Sequence, residues 1–244
     1  ARIQEEIYLT ALEESAALAA ERGAHPAFDE TRAAAGALQP DLWGVTPSDP
    51  ERWAAVREKV AAHGLRNSLL IAIAPTATIA SIAGCYECIE PQVSNLFKRE
   101  TLSGEFLQIN RYLVAELRRR GLWTAEVREQ LFEGEGSVAG LEALPEPLRR
   151  LYRTAWELSQ RALIDHAAAR GPFIDQSQSL NLFIESPDLG VLSSMYMYAF
   201  KRGLKTTYYL RSRPATRIAR SSASQDEQAR LCSLENPESC EACQ

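Results

Sequence analysis

The chain of 244 residues has no uninterrupted apolar run near the ~20 residues that cross a bilayer. It also lacks the charged-then-apolar opening that directs secretion. No basic surplus is present: a net charge of −5 argues against sequence-independent binding to nucleic acid or an anionic membrane. The triplet Arg118-Arg119-Arg120 reads as a solvated helix face. Histidine is scarce, and His25, His63 and His166 are too scattered for a local metal site or triad, with His166 reading as a core or edge residue of its helix. The sequence contains no G-x-S-x-G, no H-E-x-x-H, no dinucleotide fingerprint and no Gly-rich phosphate loop. Cysteine is sparse and odd in number (Cys85, Cys88, Cys232, Cys240, Cys243), which disfavours a secreted disulfide scaffold. An initiator Met is missing as well: Ala1 opens inside a helical pattern, so a fragment or processed product is expected. The expected setting is soluble and cytoplasmic.

What is present is an alternation of helix and strand signals. Ile3, Ile7, Ala11 and Leu18 fall near one face of a helix over residues 1–22 that stops at Gly23. Residues 24–50 are rich in Pro and Gly and read as loop, and a second helix runs from about residue 50 to Gly64. Residues 68–74, Ser-Leu-Leu-Ile-Ala-Ile-Ala, are apolar without alternation and predict a strand buried on both faces. Phe106, Ile109, Leu113 and Leu117 predict a helix closed by Gly121, residues 124–147 read as connecting structure, and Leu148, Leu151, Ala155, Leu158, Ala162 and His166 trace one long helix ending before Gly171. Two strands flank a polar loop in residues 173–184, a helix follows over 188–202, and residues 206–210 read as a strand. From Arg217 onward polar residues dominate, predicting a mobile tail over 217–244. Trp43 and Trp53 read as packing residues. The whole reads as α/β, with residues 1–216 as one domain.

Three motifs carry chemistry. Pro75-Thr76-Ala77-Thr78-Ile79-Ala80-Ser81 follows a strand and opens a helix, where free amides and the positive dipole end favour an anion. Thr76 and Thr78 add hydroxyl donors, and the small Ala77 allows a phosphate near the backbone. An ordinary Thr N-cap is the alternative. Tyr208-Tyr209 on an alternating strand would place one ring in and one ring out. A redox relay instead requires the rings to lie close, and hence a backbone that departs from alternation. Cys240-Glu241-Ala242-Cys243, with Cys232 upstream, fits a dithiol on a flexible segment that reduces a disulfide by exchange. Zinc held by Cys85, Cys88, Cys240 and Cys243 is the rival, and Cys85 and Cys88 fit simple packing equally well.

A resemblance to a known family rests on stretches spread in order along nearly the whole chain. They begin with Gln39, Asp41, Trp43 and Val45-Thr46-Pro47, then Asn67-Ser68-Leu69-Leu70-Ile71-Ala72 with Pro75-Thr76-Ala77-Thr78. Ile89-Glu90-Pro91 with Ser94-Asn95, Leu102-Ser103-Gly104-Glu105-Phe106 and Gly121-Leu122-Trp123 follow. Asp175-Gln176-Ser177-Gln178-Ser179-Leu180-Asn181, Gly203-Leu204-Lys205-Thr206 with Tyr208-Tyr209-Leu210-Arg211, and Cys232-Ser233-Leu234-Glu235-Asn236 complete the set. Together they resemble the carboxy-terminal part of the large subunit of class I ribonucleoside-diphosphate reductases.

The resemblance implies the later part of a ten-stranded α/β barrel followed by a flexible redox-active cysteine tail. It implies that Thr76, Ala77, Thr78 and Ile79 hold the phosphates of a ribonucleoside diphosphate. Thr78 and Ile79 stand where the common pattern has Ser and Thr, so Ile79 offers only its backbone amide. Tyr208 and Tyr209 would transfer a radical delivered by a metal-containing small subunit, with no cofactor or metal bound by this segment. Cys240 and Cys243 would re-reduce the active-site disulfide with electrons from thioredoxin or glutaredoxin. A homodimer of the large subunit and the remaining amino-terminal part of that subunit, which carries the thiyl-radical cysteine, are the other implied partners; neither membrane nor nucleic acid is. The fragment alone would be inactive. A zinc-binding structural module, a cobalamin-dependent relative and a non-catalytic remnant are the competing readings.

Overall fold

The computed structural model describes residues 1–101, 104–185 and 188–212, with side chains described outside 97–106. The tail expected over 217–244, with Cys232, Cys240 and Cys243, lies outside the described residues. In chain order the elements are α1 (Arg2–Arg22), α2 (Gln39–Leu42), α3 (Pro50–His63), α4 (Ala77–Ile82), β1 (Leu96–Thr101), β2 (Gly104–Ile109), α5 (Arg111–Arg119), α6 (Ala125–Glu133), α7 (Glu146–Leu151), α8 (Gln160–Arg170), β3 (Leu182–Ile184), α9 (Leu189–Lys201) and β4 (Leu210–Ser212). They fall into two compact units. Among the described residues, no helix is long and apolar enough to cross a membrane.

The first unit holds residues 1–75, 160–182 and 188–211. Its core forms where α1 meets α3: Tyr8, Leu9, Leu12 and Ala16 pack on Trp53, Val56 and Val60. Each large apolar side chain fully removed from water contributes about 1.5–3 kcal/mol. Trp53 sits between the rings of Tyr8 and Phe173, with centroids 6.2 and 6.4 Å away. The buried stripe of α1 is therefore not the one expected from Ile3 and Ile7, which are exposed. Glu5 lies on the inner stripe instead, because its carboxylate accepts the Trp53 indole N–H at 3.1 Å and the Ser48 amide at 2.6 Å. A polar group enters the core when its bonds are met inside. Sequence signals hold well for α3: Asp49 caps the Arg52 amide at 3.1 Å, Pro50 takes the first turn, and Gly64 ends the helix at φ 75°.

The second unit runs over residues 76–159 with a short return at 183–185. Its core is Leu113 and Leu117 of α5, Val127 and Leu131 of α6, and Val138, Leu141 and Leu144 of the following loop. Asn110 caps α5 by accepting the Tyr112 and Leu113 amides, and its amide donates to Asn95 at 2.8 Å. Buried Asn95 in turn donates to the carbonyls of Gly136 (2.9 Å) and Tyr152 (2.7 Å), tying three loops together.

Several expectations are corrected here. Phe106 and Ile109 belong not to a helix but to β2, which pairs antiparallel with β1 from Leu96↔Ile109 to Thr101↔Gly104. The helix starts only after Asn110, whose cap resets the backbone. Residues 124–147 are not featureless, since Thr124 caps α6. The long helix over 148–166 is broken: Glu157 accepts the Thr154 amide at 2.7 Å and the Ser137 hydroxyl, a local capping box that starts a new turn before α8. His166 is exposed on α8, whose buried residues are Leu163, Ile164, Ala167 and Ala168. Residues 68–74 are not buried on both faces; Leu69 is 53% exposed, and the segment makes only one isolated parallel bridge, Ile73 to Gln178. The described strands form two two-stranded sheets, β1–β2 and β3–β4, so the architecture is α/β but the described residues show open sheet and no closed barrel.

Candidate functional site

In the first unit, residues 174–182 form a spine with a partner on each edge. On one edge, the Gln176 amide donates to Ile71 O, the Ile73 amide to Ser177 O and the Ser179 amide to Ile73 O, at 2.8–3.1 Å. The Asp175 carboxylate closes that edge by accepting the Leu70 and Ile71 amides, both at 2.8 Å. Ile73 stands three residues before Thr76 in the chain, so this edge orders the segment just ahead of the predicted anion loop. On the other edge, Lys205 Nζ donates to the carbonyls of Ile174, Asp175 and Gln176 at 3.0–3.1 Å. Partial burial holds the Lys205 ammonium below the usual lysine range, with the Asp175 charge opposing it. Thr206 Oγ1 then donates to Gln178 O at 2.8 Å.

That second edge carries the tyrosines. The Tyr208 amide donates to Leu180 O at 2.8 Å, and Tyr209 O accepts the Leu182 amide at 2.9 Å. In an unbroken parallel ladder one residue would make both bonds. Here two residues stand opposite Asn181, which is the arithmetic of a β-bulge. The consequence is local loss of alternation. Instead of pointing to opposite faces, the Tyr208 and Tyr209 rings lie with centroids 3.9 Å apart at 50°. Both are about half exposed, and the Arg211 guanidinium sits 5.5 Å from the Tyr209 ring. A hydrogen bond with Tyr209 raises the Tyr208 phenol above its usual value. The strand expected over 206–210 is thus replaced by a bulged segment leading into β4.

Thr76 begins the second unit in a left-handed conformation, φ 55°, that is a genuine outlier for a β-branched residue. Its carbonyl accepts the Ala80 amide at 2.7 Å, and Ala77, Thr78 and Ile79 form the first turn of α4. Thr78 and Ile79 are exposed, Ile79 by 69%. First-turn amides have no partner within a helix, so this exposed turn presents donors outward. Thr76 does not act as a side-chain cap on α4; its hydroxyl oxygen instead accepts the Cys88 amide at 3.4 Å. Neither Cys85 nor Cys88 is in a disulfide.

Asp175, Lys205 and Thr206 are the residues to which sequence reasoning gave no role. A charged residue opening a polar break between apolar runs, and a lone Lys before the tyrosines, were visible signals. Their pairing across thirty residues was not.

Comparisons with known proteins bear on what this arrangement serves. The profile of the ribonucleotide reductase barrel domain matches residues 1–210. The ribonucleoside-diphosphate reductase large subunit of Danio rerio is 43% identical over 263 residues, covering 99% of this chain and 33% of that protein. The Caenorhabditis elegans large subunit is 46% identical over 215 residues, covering 88% of this chain and 27% of its own length. The chain thus spans about a third or less of these curated relatives. Among solved structures, the class Id ribonucleotide reductase alpha subunit of Actinobacillus ureae aligns with a TM-score of 0.55 at 30% identity, over 68% of this chain and 32% of that one.

Proposed function

The chain belongs to the ribonucleotide reductase barrel-domain family, and from that premise we propose that it is a portion of the catalytic large subunit of a class I enzyme reducing ribonucleoside diphosphates to 2′-deoxyribonucleoside diphosphates. The observation that carries this reading is the close tyrosine pair on its bulge, because ring proximity is what hydrogen-atom transfer between phenols requires and what a regular strand forbids. When Tyr209 has lost an electron and a proton, the adjacent Tyr208 supplies both, its proton passing along the hydrogen bond to Tyr209 and its electron across the ring contact. The oxidising equivalent then moves on to the cysteine that abstracts a substrate hydrogen, in the remaining part of the subunit. A metal-containing small subunit supplies the radical.

Substrate phosphates are held by Thr76, Ala77, Thr78 and Ile79, through the first-turn amides and the Thr hydroxyls. Ile79 offers its amide alone. Cys240 and Cys243 attack the disulfide left after each turnover, receive it by exchange, and pass it to thioredoxin or glutaredoxin. The large subunit acts as a homodimer in the cytoplasm.

The test is reconstitution of the complete subunit with its small subunit and a ribonucleoside diphosphate, with and without adenosylcobalamin. Deoxynucleotide formation that needs the small subunit and ignores cobalamin is expected. Turnover that needs cobalamin alone would overturn the class I reading. Replacing Cys240 and Cys243 by Ser is expected to block reduction through thioredoxin but spare reduction by a small dithiol.

A further inference from the structure

We propose that Cys85 and Cys88 form a redox-responsive dithiol whose closure to a disulfide resets the Thr76 turn. The pair has the C-x-x-C spacing, and the proposed reaction cycle makes no use of it. Cys85 is exposed on the turn leaving α4, where its amide donates to Ala80 O at 2.9 Å. Cys88 is half-buried and sits at φ 66°, one of three non-glycine residues with positive φ among those described. Thr76, at φ 55°, is another. These two outliers are joined to each other, because the Cys88 amide donates to Thr76 Oγ1 at 3.4 Å. Strained backbone persists where surrounding contacts over-determine it, and here each outlier helps hold the other.

The two residues between the thiols decide which end moves. Tyr86 is pinned: its ring packs edge-on against Tyr112, with centroids 5.9 Å apart, and its hydroxyl donates to Asn110 Oδ1 at 3.1 Å. Asn110 is the cap of α5, so Tyr86 is tied to the core of the second unit. The chain bends at Cys85, where the amide is held by Ala80 O, and again over residues 87–90. Bringing the sulfurs to bonding distance against a fixed Tyr86 therefore falls on Cys88, and rotating Cys88 withdraws its amide from Thr76.

The chemistry balances with a small disulfide as oxidant. The Cys85 thiolate attacks one sulfur of the small disulfide, expelling one small thiol and leaving a mixed disulfide. The Cys88 thiolate then attacks the Cys85 sulfur, forming the intramolecular bond and expelling the second thiol. Two protein thiols are oxidised and one small disulfide is reduced to two thiols. The consequence for substrate rests on the reading of residues 76–79 as the phosphate loop; the disulfide itself does not.

The experiment uses the full chain with Cys232→Ser, Cys240→Ser and Cys243→Ser, incubated with glutathione disulfide. Peptide mass analysis is expected to find residues 85–88 two hydrogens lighter with no glutathione attached, restored by dithiothreitol. Two alkylatable thiols, or glutathione standing on both cysteines, would overturn the dithiol. Amide hydrogen exchange over residues 77–83 is expected to quicken roughly three- to tenfold in the disulfide form, the opening that one lost hydrogen bond permits. Unchanged exchange would overturn the coupling to Thr76. If exchange responds but the reduced chain binds no nucleoside diphosphate, the phosphate-loop reading fails while the redox site stands.

Discussion

Replacing Asp175 by Asn changes almost nothing in shape and removes one charge from the spine. The carboxylate accepts two backbone amides, from Leu70 and Ile71, both at 2.8 Å. Hydrogen bonds to charged groups are worth about 1.5–3 kcal/mol each. Asn keeps one oxygen, now neutral and about half as effective, and turns an N–H₂ group toward the other amide, where donor meets donor. Because the site is only partly buried, the loss is placed at the low end, about 2 kcal/mol. The assay is urea unfolding followed by fluorescence of Trp53, which lies in the core of the same unit. The midpoint falls while the slope stays constant. Lys205 gives a second readout: burial already lowers its pKa against the Asp175 charge, so removing that charge lowers it further, visible by NMR titration. A stability change below about 0.5 kcal/mol, the range of an ordinary surface substitution, with an unmoved Lys205, would refute the claim that Asp175 holds residues 70–71 against the spine.

Gly136→Ala is expected to destabilise the second unit by about 3 kcal/mol or more, since Gly136 has φ 85° and a Cβ there would overlap Ser94 Oγ and stand 2.6 Å from the Leu96 amide; a thermal melt within a degree of the parent would contradict it. Acid should weaken the first unit in a defined window. Hydrogen bonds from Arg52 hold Glu13, and those from Arg57 hold Asp41, below their ordinary values of 4.5 and 3.8. Depressed carboxylates stabilise fully above the unfolded values and lose that contribution as pH falls through the folded ones, so urea midpoints drop below pH 4.5. Arg57→Met should flatten the Asp41 part of that profile. Tyr209→Phe should lower the Tyr208 phenol toward its ordinary range, measured by ultraviolet titration against the parent, because the hydrogen bond with Tyr209 is the first cause of its elevation.

Some helix ends could be read from the sequence, while several element types and boundaries could not. Helix ends were legible where one residue type sets them: Pro50 starts α3, Gly64 ends it, and Asp188 starts α9. The β1–β2 hairpin was missed because Phe106, Ile109, Leu113 and Leu117 satisfy a helical period across a boundary set by the Asn110 cap. The break before α8 was missed because apolar periodicity outweighed the local Thr154-x-x-Glu157 capping box, and because the Ser137 contact that also holds Glu157 lies twenty residues away. At the site, Thr76–Ile79 and the tyrosines were legible as motifs, but the close approach of the two rings depends on a bulge defined by Leu180 and Leu182, some twenty-eight residues away in the chain. Pairing partners at that separation leave no local trace. Asp175 and Lys205 went without a role for the same reason.

The most direct test is Tyr209→Phe in the complete large subunit, assayed with its small subunit for deoxynucleotide formation alongside nucleoside diphosphate binding. Phenylalanine keeps the ring and the bulge but has no hydroxyl hydrogen to give or take. Binding at parental affinity with deoxynucleotide formation abolished is the result expected. Turnover at the parental rate would show that the paired phenols carry no radical.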